Sequence, residues 1–141
     1  MKSMLIYTYI DVPAGTQFNN AVSKTLELPT GVIKRIRILF PWGVNCTTYI
    51  QLRLGENVIL PREAEEWVTA SGGFVEDEPY LEVTDKVTTL KILGAAPEAK
   101  YDHRIHIYIL ILDAKYVFPE RALEDLLRKL LERLVVKKIV A

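Results

Sequence analysis

The sequence predicts a mainly β protein, an antiparallel jelly-roll-like β-sandwich of about eight strands with an appended C-terminal amphipathic α-helix. Two observations predict this fold. Short runs alternate between apolar and polar residues and are separated by turn residues at roughly 8–12-residue spacing, which is typical of sandwiches and barrels. After residue 117 the alternation stops, and leucines recur at helical spacing. An immunoglobulin-like sandwich is the second choice.

Composition favours one globular unit, predicted as a sandwich domain (1–113) and a helical arm (114–141). The chain has 141 residues, is 50% hydrophobic, and carries 18 basic and 18 acidic side chains. This charge balance argues against nucleic-acid binding, which needs a local basic excess.

No run is long and apolar enough to span a membrane. A signal peptide is not expected, because Tyr7 and Asp11 interrupt the apolar stretch that it would need. Abundant Lys, Arg, Glu and Ile lean towards a thermophilic composition.

The strands are expected at residues 4–11, 22–28, 32–40, 47–54, 58–60, 74–76, 80–84, 87–93 and 104–112. Proline and glycine end several of them, because proline cannot donate to a strand ladder and glycine permits turn dihedrals. Pro41 and Gly43 follow the third run, and Gly55 and Pro61 bound the fifth. The segment 62–70 is expected to be irregular.

The runs at 32–40 and 47–54 have the clearest alternation. In the first, Val32, Lys34, Ile36, Ile38 and Phe40 share one side, opposite Ile33, Arg35, Arg37 and Leu39; in the second, Ile50, Leu52 and Leu54 lie opposite Tyr49, Gln51 and Arg53. If these strands pair, the basic and aromatic residues form a surface stripe suited to carbohydrate, an acidic partner surface or nucleic acid. The candidate surface-binding residues are Arg35, Arg37, Tyr49, Arg53 and Trp42. An ordinary outer sheet face is the favoured alternative, and Trp42 and Trp67 are expected as core plugs or interface anchors rather than sugar platforms.

Two segments are candidates for an oligomer interface. The strand at 104–112 is apolar on both faces, so a second layer or a partner is expected to cover Tyr108 and Leu110. The helix predicted at 119–138 begins at Pro119, which suits a first turn. Its candidate interface residues are Leu123, Leu126, Leu127, Leu130, Leu131 and Leu134. These leucines could pack on the chain's own sandwich, or they could dock on a neighbour or bundle with copies of themselves.

No catalytic residue, metal site or cofactor is predicted. His103 and His106 are three residues apart and point to opposite faces of a strand, so they cannot chelate one ion. Cys46 is expected to be a buried, inert thiol. The loop acids are expected to be solvated charges, although a glycosidase-like pair is left open. These acids are Glu63, Glu65, Glu66, Glu76, Asp77 and Glu78.

A series of turn and core landmarks supports a family resemblance over residues 5 to 112. The series comprises Tyr7-Thr8-Tyr9, Pro13-Ala14-Gly15-Thr16, Gly31-Val32-Ile33, Phe40-Pro41-Trp42-Gly43, Leu52-Arg53-Leu54-Gly55, Ile59-Leu60-Pro61, Trp67 and Asp102-His103-Arg104-Ile105. The sequence, with its landmarks in this order, resembles a group of small β-sandwich proteins that are encoded among the structural genes of tailed phages and archaeal viruses.

The resemblance implies a non-enzymatic structural or assembly protein of a virion or virus-like particle. Such a protein would be a homo-oligomer in contact with other particle proteins, and it would be found in the virion after assembly in the host cytoplasm. A carbohydrate- or surface-binding β-sandwich module is the alternative. A hydrolase that uses the loop acids is the third hypothesis.

Overall fold

The computed structural model describes residues 3–62 and 66–140, and in these residues nine strands, numbered β1 to β9 along the chain, form two facing antiparallel sheets. The five-stranded sheet has the order β1 (Ser3–Val12), β9 (His103–Leu112), β3 (Gly31–Phe40) and β6 (Gly73–Asp77), with β7 (Leu81–Val83) also paired to β3. The four-stranded sheet has the order β2 (Val22–Glu27), β8 (Thr89–Ala95), β4 (Tyr49–Leu54) and β5 (Asn57–Leu60). The predicted mainly β sandwich with a C-terminal helix is confirmed.

The core lies between the sheets and consists of aliphatic side chains at alternate positions of the central strands. Fully buried examples from the two sheets are Ile36, Ile38, Ile107, Ile109, Ile50, Leu52, Leu90 and Ile92. Since side chains of a strand alternate between its two faces, each of these strands turns its intervening residues outward. The sandwich therefore has two outer faces whose side chains are available for contacts.

The alternation of β3 is broken at Lys34. Pairing of β3 with β9 shifts register between Ile33 and Arg35, and Ile33 is buried in the core together with Ile36. The prediction that Ile33 lies opposite Ile36 is wrong, because an additional residue in one strand exchanges the two faces beyond it. After this irregularity, Arg35 and Arg37 occupy the outer face, as predicted.

Most strand boundaries agree with the prediction to within about two residues, the usual uncertainty of such ends. Part of the irregular segment predicted at 62–70 lies outside the described residues. Residues 66–70 are irregular as predicted, and Val68 exchanges two backbone hydrogen bonds of 2.8 Å with Ile50. This segment therefore packs beside β4.

Two helices follow β9. A single turn, α1 (Ala114–Val117), is capped by the Asp113 carboxylate, which accepts a hydrogen bond of 3.1 Å from the Lys115 amide. The longer α2 (Pro119–Val140) begins at the predicted proline and confirms the predicted helix. The division into a domain at 1–113 and an arm at 114–141 stays a prediction.

Candidate interaction surfaces

The first candidate surface is the leucine stripe of α2, defined as Leu123, Leu126, Leu127, Leu130, Leu131 and Leu134. These side chains are between 46% and 62% exposed. All other described side chains from Pro119 to Val135 are exposed as well, so over these residues α2 does not bury its apolar side on the sandwich. In a single copy the leucine stripe is therefore not packed on its own sandwich, and its role as an interface stays a prediction.

Among the described residues of α2, Arg121 at its beginning contacts the sandwich. Arg121 forms an ion pair of 2.6 Å with Glu82 on β7, and its guanidinium lies 4.1 Å from the centre of the Phe118 ring. The hydrogen bond from Arg121 to the Glu82 carboxylate raises the pKa of Arg121 above its ordinary value. This contact fixes the first turn of α2 at the side of the sheet where β7 lies.

The second candidate surface is the outer face of the five-stranded sheet. Cross-strand pairs join β1 to β9, with Leu5 opposite Leu110 and Tyr7 opposite Tyr108. Leu5 and Tyr7 are 66% and 50% exposed, and Phe74 on β6 is 57% exposed. The apolar part of this outer face comprises Leu5, Tyr7, Phe74, Tyr108 and Leu110. Of these residues, Tyr108 and Leu110 belong to the interface predicted from the sequence, and both are half-buried.

A shallow depression of about 320 Å³ lies on the outer face, between β1 and β6. Its lining combines the apolar side chains of Leu5, Phe74, Tyr108 and Leu110 with Arg35 and Arg37. Arg35 pairs with Glu76 at 3.0 Å and Glu78 at 3.1 Å, and Arg37 pairs with Glu76 at 3.0 Å. The arginines are therefore neutralised by neighbouring acids, and the apolar side chains are the main feature of this surface.

The predicted basic and aromatic stripe does not form as one surface. Arg35 and Arg37 lie on β3, whereas Tyr49 and Arg53 lie on β4, and these strands belong to opposite sheets. The stripe depended on β3 pairing with β4, and this pairing is wrong because the segment between them crosses from one sheet to the other. A binding role for each residue stays a prediction.

Arg53 and Tyr49 have separate surroundings on the four-stranded sheet. The Arg53 Nε donates to Gln51 Oε1 at 2.9 Å, and the Gln51 amide donates to the Glu66 carbonyl at 2.8 Å. Gln51 is buried by this contact. Rings of Tyr49 and Trp67 both lie 5.2 Å from the ring of Phe18, which joins them into a small aromatic cluster.

Trp42 is 85% exposed in the connection between β3 and β4. The prediction of a core plug is wrong for Trp42, since its ring lies over the backbone of Gly72 rather than between the sheets. Trp67 is half-buried, in keeping with a partial anchoring role. An exposed tryptophan is compatible with the other predicted role, that of an interface anchor.

The loop acids that the structure describes lie mainly in ion pairs with arginines. Glu76 and Glu78 pair with arginines as described above, and Asp77 pairs with Arg62 at 3.0 Å. These pairs engage three of the six loop acids among which a glycosidase-like pair was left open. Glu63 and Glu65 lie outside the described residues, and Glu66 is exposed beside β4.

His106 and Cys46 lie in different parts of the sandwich. The Tyr7 hydroxyl and His106 Nδ1 are hydrogen-bonded at 2.6 Å on the outer face, and within residues 3–62 and 66–140 no group of three metal-binding side chains comes together. Cys46 is exposed, so the prediction of a buried thiol is wrong. Its backbone is left-handed, with φ of 59°, in the connection between β3 and β4.

In the same described ranges no helix is long and apolar enough to cross a membrane.

No protein-family model matches the sequence, and no curated protein matches it at a significant level. Among solved structures, a chain of the capsid asymmetric unit of cyanophage Pam1 aligns with a TM-score of 0.52 and 15% identity, over 79% of this chain and 84% of that chain. A chain from the triple jelly-roll turret assembly of an archaeal virus gives 0.43 and 10% identity, over 79% and 29% of the two chains. The S. wedmorenis hydroxypropylphosphonic acid epoxidase gives 0.38 and 11%, over 74% and 42%. The cyanophage similarity establishes a shared fold, and the two lower scores carry no functional argument.

Proposed function

We propose that this chain is a non-enzymatic structural or assembly protein of a virion or virus-like particle. It would act through homo-oligomeric contacts of the sandwich and of α2. The single observation that carries the proposal is the leucine stripe, whose six members are all at least 46% exposed. A helix gains most of its stability in proteins by packing its apolar side, so an uncovered stripe of this size calls for a partner.

The free energy available from covering the stripe is large. Full burial of a leucine contributes about 1.5–3 kcal/mol, so burial of the exposed half of six leucines contributes roughly 5–9 kcal/mol per helix. The total stability of a typical domain is about 5–15 kcal/mol. Association through α2 therefore competes in size with the folding of the sandwich itself, although part of it is offset by lost freedom on association.

Two further observations support the particle role. The fold is shared with a chain of the cyanophage Pam1 capsid asymmetric unit, and the order of turn and core landmarks resembles small sandwich proteins of viral structural genes. Glu76, Asp77 and Glu78 are engaged in ion pairs, and His106 is hydrogen-bonded to Tyr7.

The test is the absolute mass in solution, measured by light scattering at several concentrations. The full chain is expected to form a defined multimer, and a chain truncated after Asp113 is expected to lose the contacts of α2 and to have a lower subunit number. Circular dichroism of the truncated chain checks that the β-sandwich remains. Equal subunit numbers for the two chains would refute assembly through α2.

A second candidate, a carbohydrate- or surface-binding module, is favoured by one observation, the 85% exposure of Trp42. Exposed aromatic rings offer an apolar plane with a polar edge, which suits stacking against a ligand. A glycan array probed with the full chain and with Trp42→Ala tests this candidate. A ligand that binds the full chain and not the variant would support it, whereas an array without any bound glycan would dispose of it.

A further inference from the structure

The sandwich protects its sheet edges unequally. In the described residues, β5 at the end of the four-stranded sheet is four residues long and is followed by Pro61, and β2 at the other end carries Lys24 and Glu27. On the five-stranded sheet, one side is divided between the short strands β6 and β7. Short strands, charges and prolines are common devices that prevent edge-to-edge pairing.

The remaining edge, β1, has none of these devices over most of its length. It is ten residues long, and its pairing with β9 runs from Ser3 to Val12 without a shift of register. Its sequence SMLIYTYIDV contains no proline and a single charged residue, Asp11, near its end. A long, regular and mainly apolar edge is a template for pairing with another strand.

The position of Lys24 shows which backbone groups of β1 are directed to the free edge. Lys24 reaches across from β2 and donates a hydrogen bond of 2.9 Å to the Tyr9 carbonyl oxygen. That carbonyl therefore points away from β9. Because backbone groups of successive residues point to opposite sides of a strand, those of Leu5 and Tyr7 point the same way as those of Tyr9.

Lys24 also limits the region that is free to pair. Its ammonium group lies 4.3 Å from the centre of the Tyr9 ring, so the end of β1 near Val12 is covered. The half from Ser3 to Tyr7, about 17 Å long, carries Leu5 at 66% exposure and Met4 at 41% exposure. Both the backbone groups and the side chains of this half are thus exposed to solvent.

We propose that β1 of one copy pairs antiparallel with β1 of a second copy, centred on Leu5, so that the two five-stranded sheets become continuous. This inference rests on the proposed function, because it assumes that the chain acts in many copies. It adds a specific contact surface between those copies. A second copy is the occupant because β1 is the one long, regular edge that the described strands leave, so its best match is the same edge of another copy. Pairing of identical edges is isologous and follows a two-fold axis.

The side chains fit this register. With Leu5 opposite Leu5 of the second copy, Ser3 lies opposite Tyr7, and Met4 lies opposite Ile6. A small residue then faces a large one on the outer face, and two apolar residues meet on the inner side. The three pairs that point to the free edge would exchange about six backbone hydrogen bonds. Leu5 lies opposite Leu110 within one copy. In the proposed pair, these two residues are followed across the two-fold axis by Leu5 and Leu110 of the second copy.

Amide hydrogen exchange of the full chain, followed residue by residue by NMR at low and high protein concentration, tests the proposal directly. In a single copy the amides of Leu5 and Tyr7 face solvent and exchange fast, while those of Ile6 and Thr8 are held by β9. Pairing is expected to slow exchange at Leu5 and Tyr7 at least tenfold at high concentration. Fast exchange of both amides in a sample that light scattering shows to be multimeric would overturn the proposal and leave assembly through α2 intact.

Variants of the full chain give a second measurement. Leu5→Pro removes an amide that makes no bond to β9, and Leu5→Lys places a charge at the centre of the pair. Each is expected to halve the mass found by light scattering, whereas Tyr101→Lys, at an aromatic residue that is 72% exposed before β9 and outside both candidate surfaces, is expected to leave it unchanged. If Leu5→Lys keeps the wild-type mass, the pairing of β1 is refuted. A mass that halves with Leu5→Lys but not with truncation after Asp113 would support β1 pairing while refuting the role of α2.

Discussion

Substitution of Leu127 and Leu130 by alanine is the sharpest perturbation of the leucine stripe. The two side chains are 51% and 46% exposed in a single copy. Full burial of a leucine contributes about 1.5–3 kcal/mol, so covering the exposed half of both contributes about 2 kcal/mol per helix. A loss of that size corresponds to about 30-fold for each helix in the contact, or roughly 1,000-fold for a pair of copies that both carry the substitutions. Alanine has the highest helix propensity, so the double substitution leaves α2 itself intact.

The assay is a dilution series of the full-length chain, followed by sedimentation velocity or light scattering. The concentration at which half of the multimer dissociates is expected to rise at least about 30-fold for the double alanine variant, because every copy loses about 2 kcal/mol. The matched control is Asp125→Ala combined with Lys129→Ala, which removes two charges of opposite sign from the polar side of α2. An unchanged midpoint for the leucine variant, or an equal shift for the control, would refute burial of the stripe between copies.

Three further outcomes are expected from the sandwich. Ile109→Ala, at a fully buried position of β9, should lower the free energy of unfolding by about 2–5 kcal/mol in a denaturant titration. Gly31→Ala should destabilise more than Gly43→Ala, because both have positive φ but only at Gly31 does an added Cβ come within 2.6 Å of a backbone oxygen of β9; equal effects would contradict this. The hydrogen bond from Arg104 lowers the pKa of Asp11 below its ordinary value of 3.8, so the stabilising contribution is present above that pH and is lost on further acidification. The stability difference between wild type and Asp11→Asn should shrink as pH falls below about 4, and a constant difference would refute it.

The fold class was accessible from sequence because the period-two pattern is strong in the central strands. Ile107 and Ile109 are buried where alternation placed them. Alternation indicates which face a residue occupies, but it carries no information about which strand lies beside it. For that reason β3 and β4 were predicted as possible neighbours, although the connection containing Gly43 and Asn45, both with positive φ, crosses between sheets.

Only part of the candidate surfaces could be predicted from the sequence. The heptad-like spacing predicted the leucine stripe, but periodicity cannot show whether a stripe is covered by its own chain. Leu5 and Tyr7 lie in the first predicted strand, at residues 4–11, but the sequence does not mark them as a site. Their signal was the lack of charge and proline from residue 3 to residue 10, which becomes informative only once β1 is known to be an edge.

The two proposed contacts lie on different parts of the molecule, and this has a consequence for assembly. In the order of the five-stranded sheet, β1 is at one edge, whereas β7, to which Arg121 ties the start of α2, pairs with β3 on the other side of β9. Pairing of β1 alone closes at two copies. Association through α2 adds neighbours at a separate place, so a chain with both contacts extends beyond a dimer.

The separate positions also predict how the contacts respond to combined changes. Truncation after Asp113 should leave dimers paired through β1, and Leu5→Lys should leave clusters held by α2. Both changes together should give a monomer, because each removes a distinct surface. Since the sites are far apart along the sheet, their free-energy effects on association should add. A multimer that persists in the doubly altered chain would show that a third surface, such as the depression lined by Phe74 and Tyr108, holds the copies together.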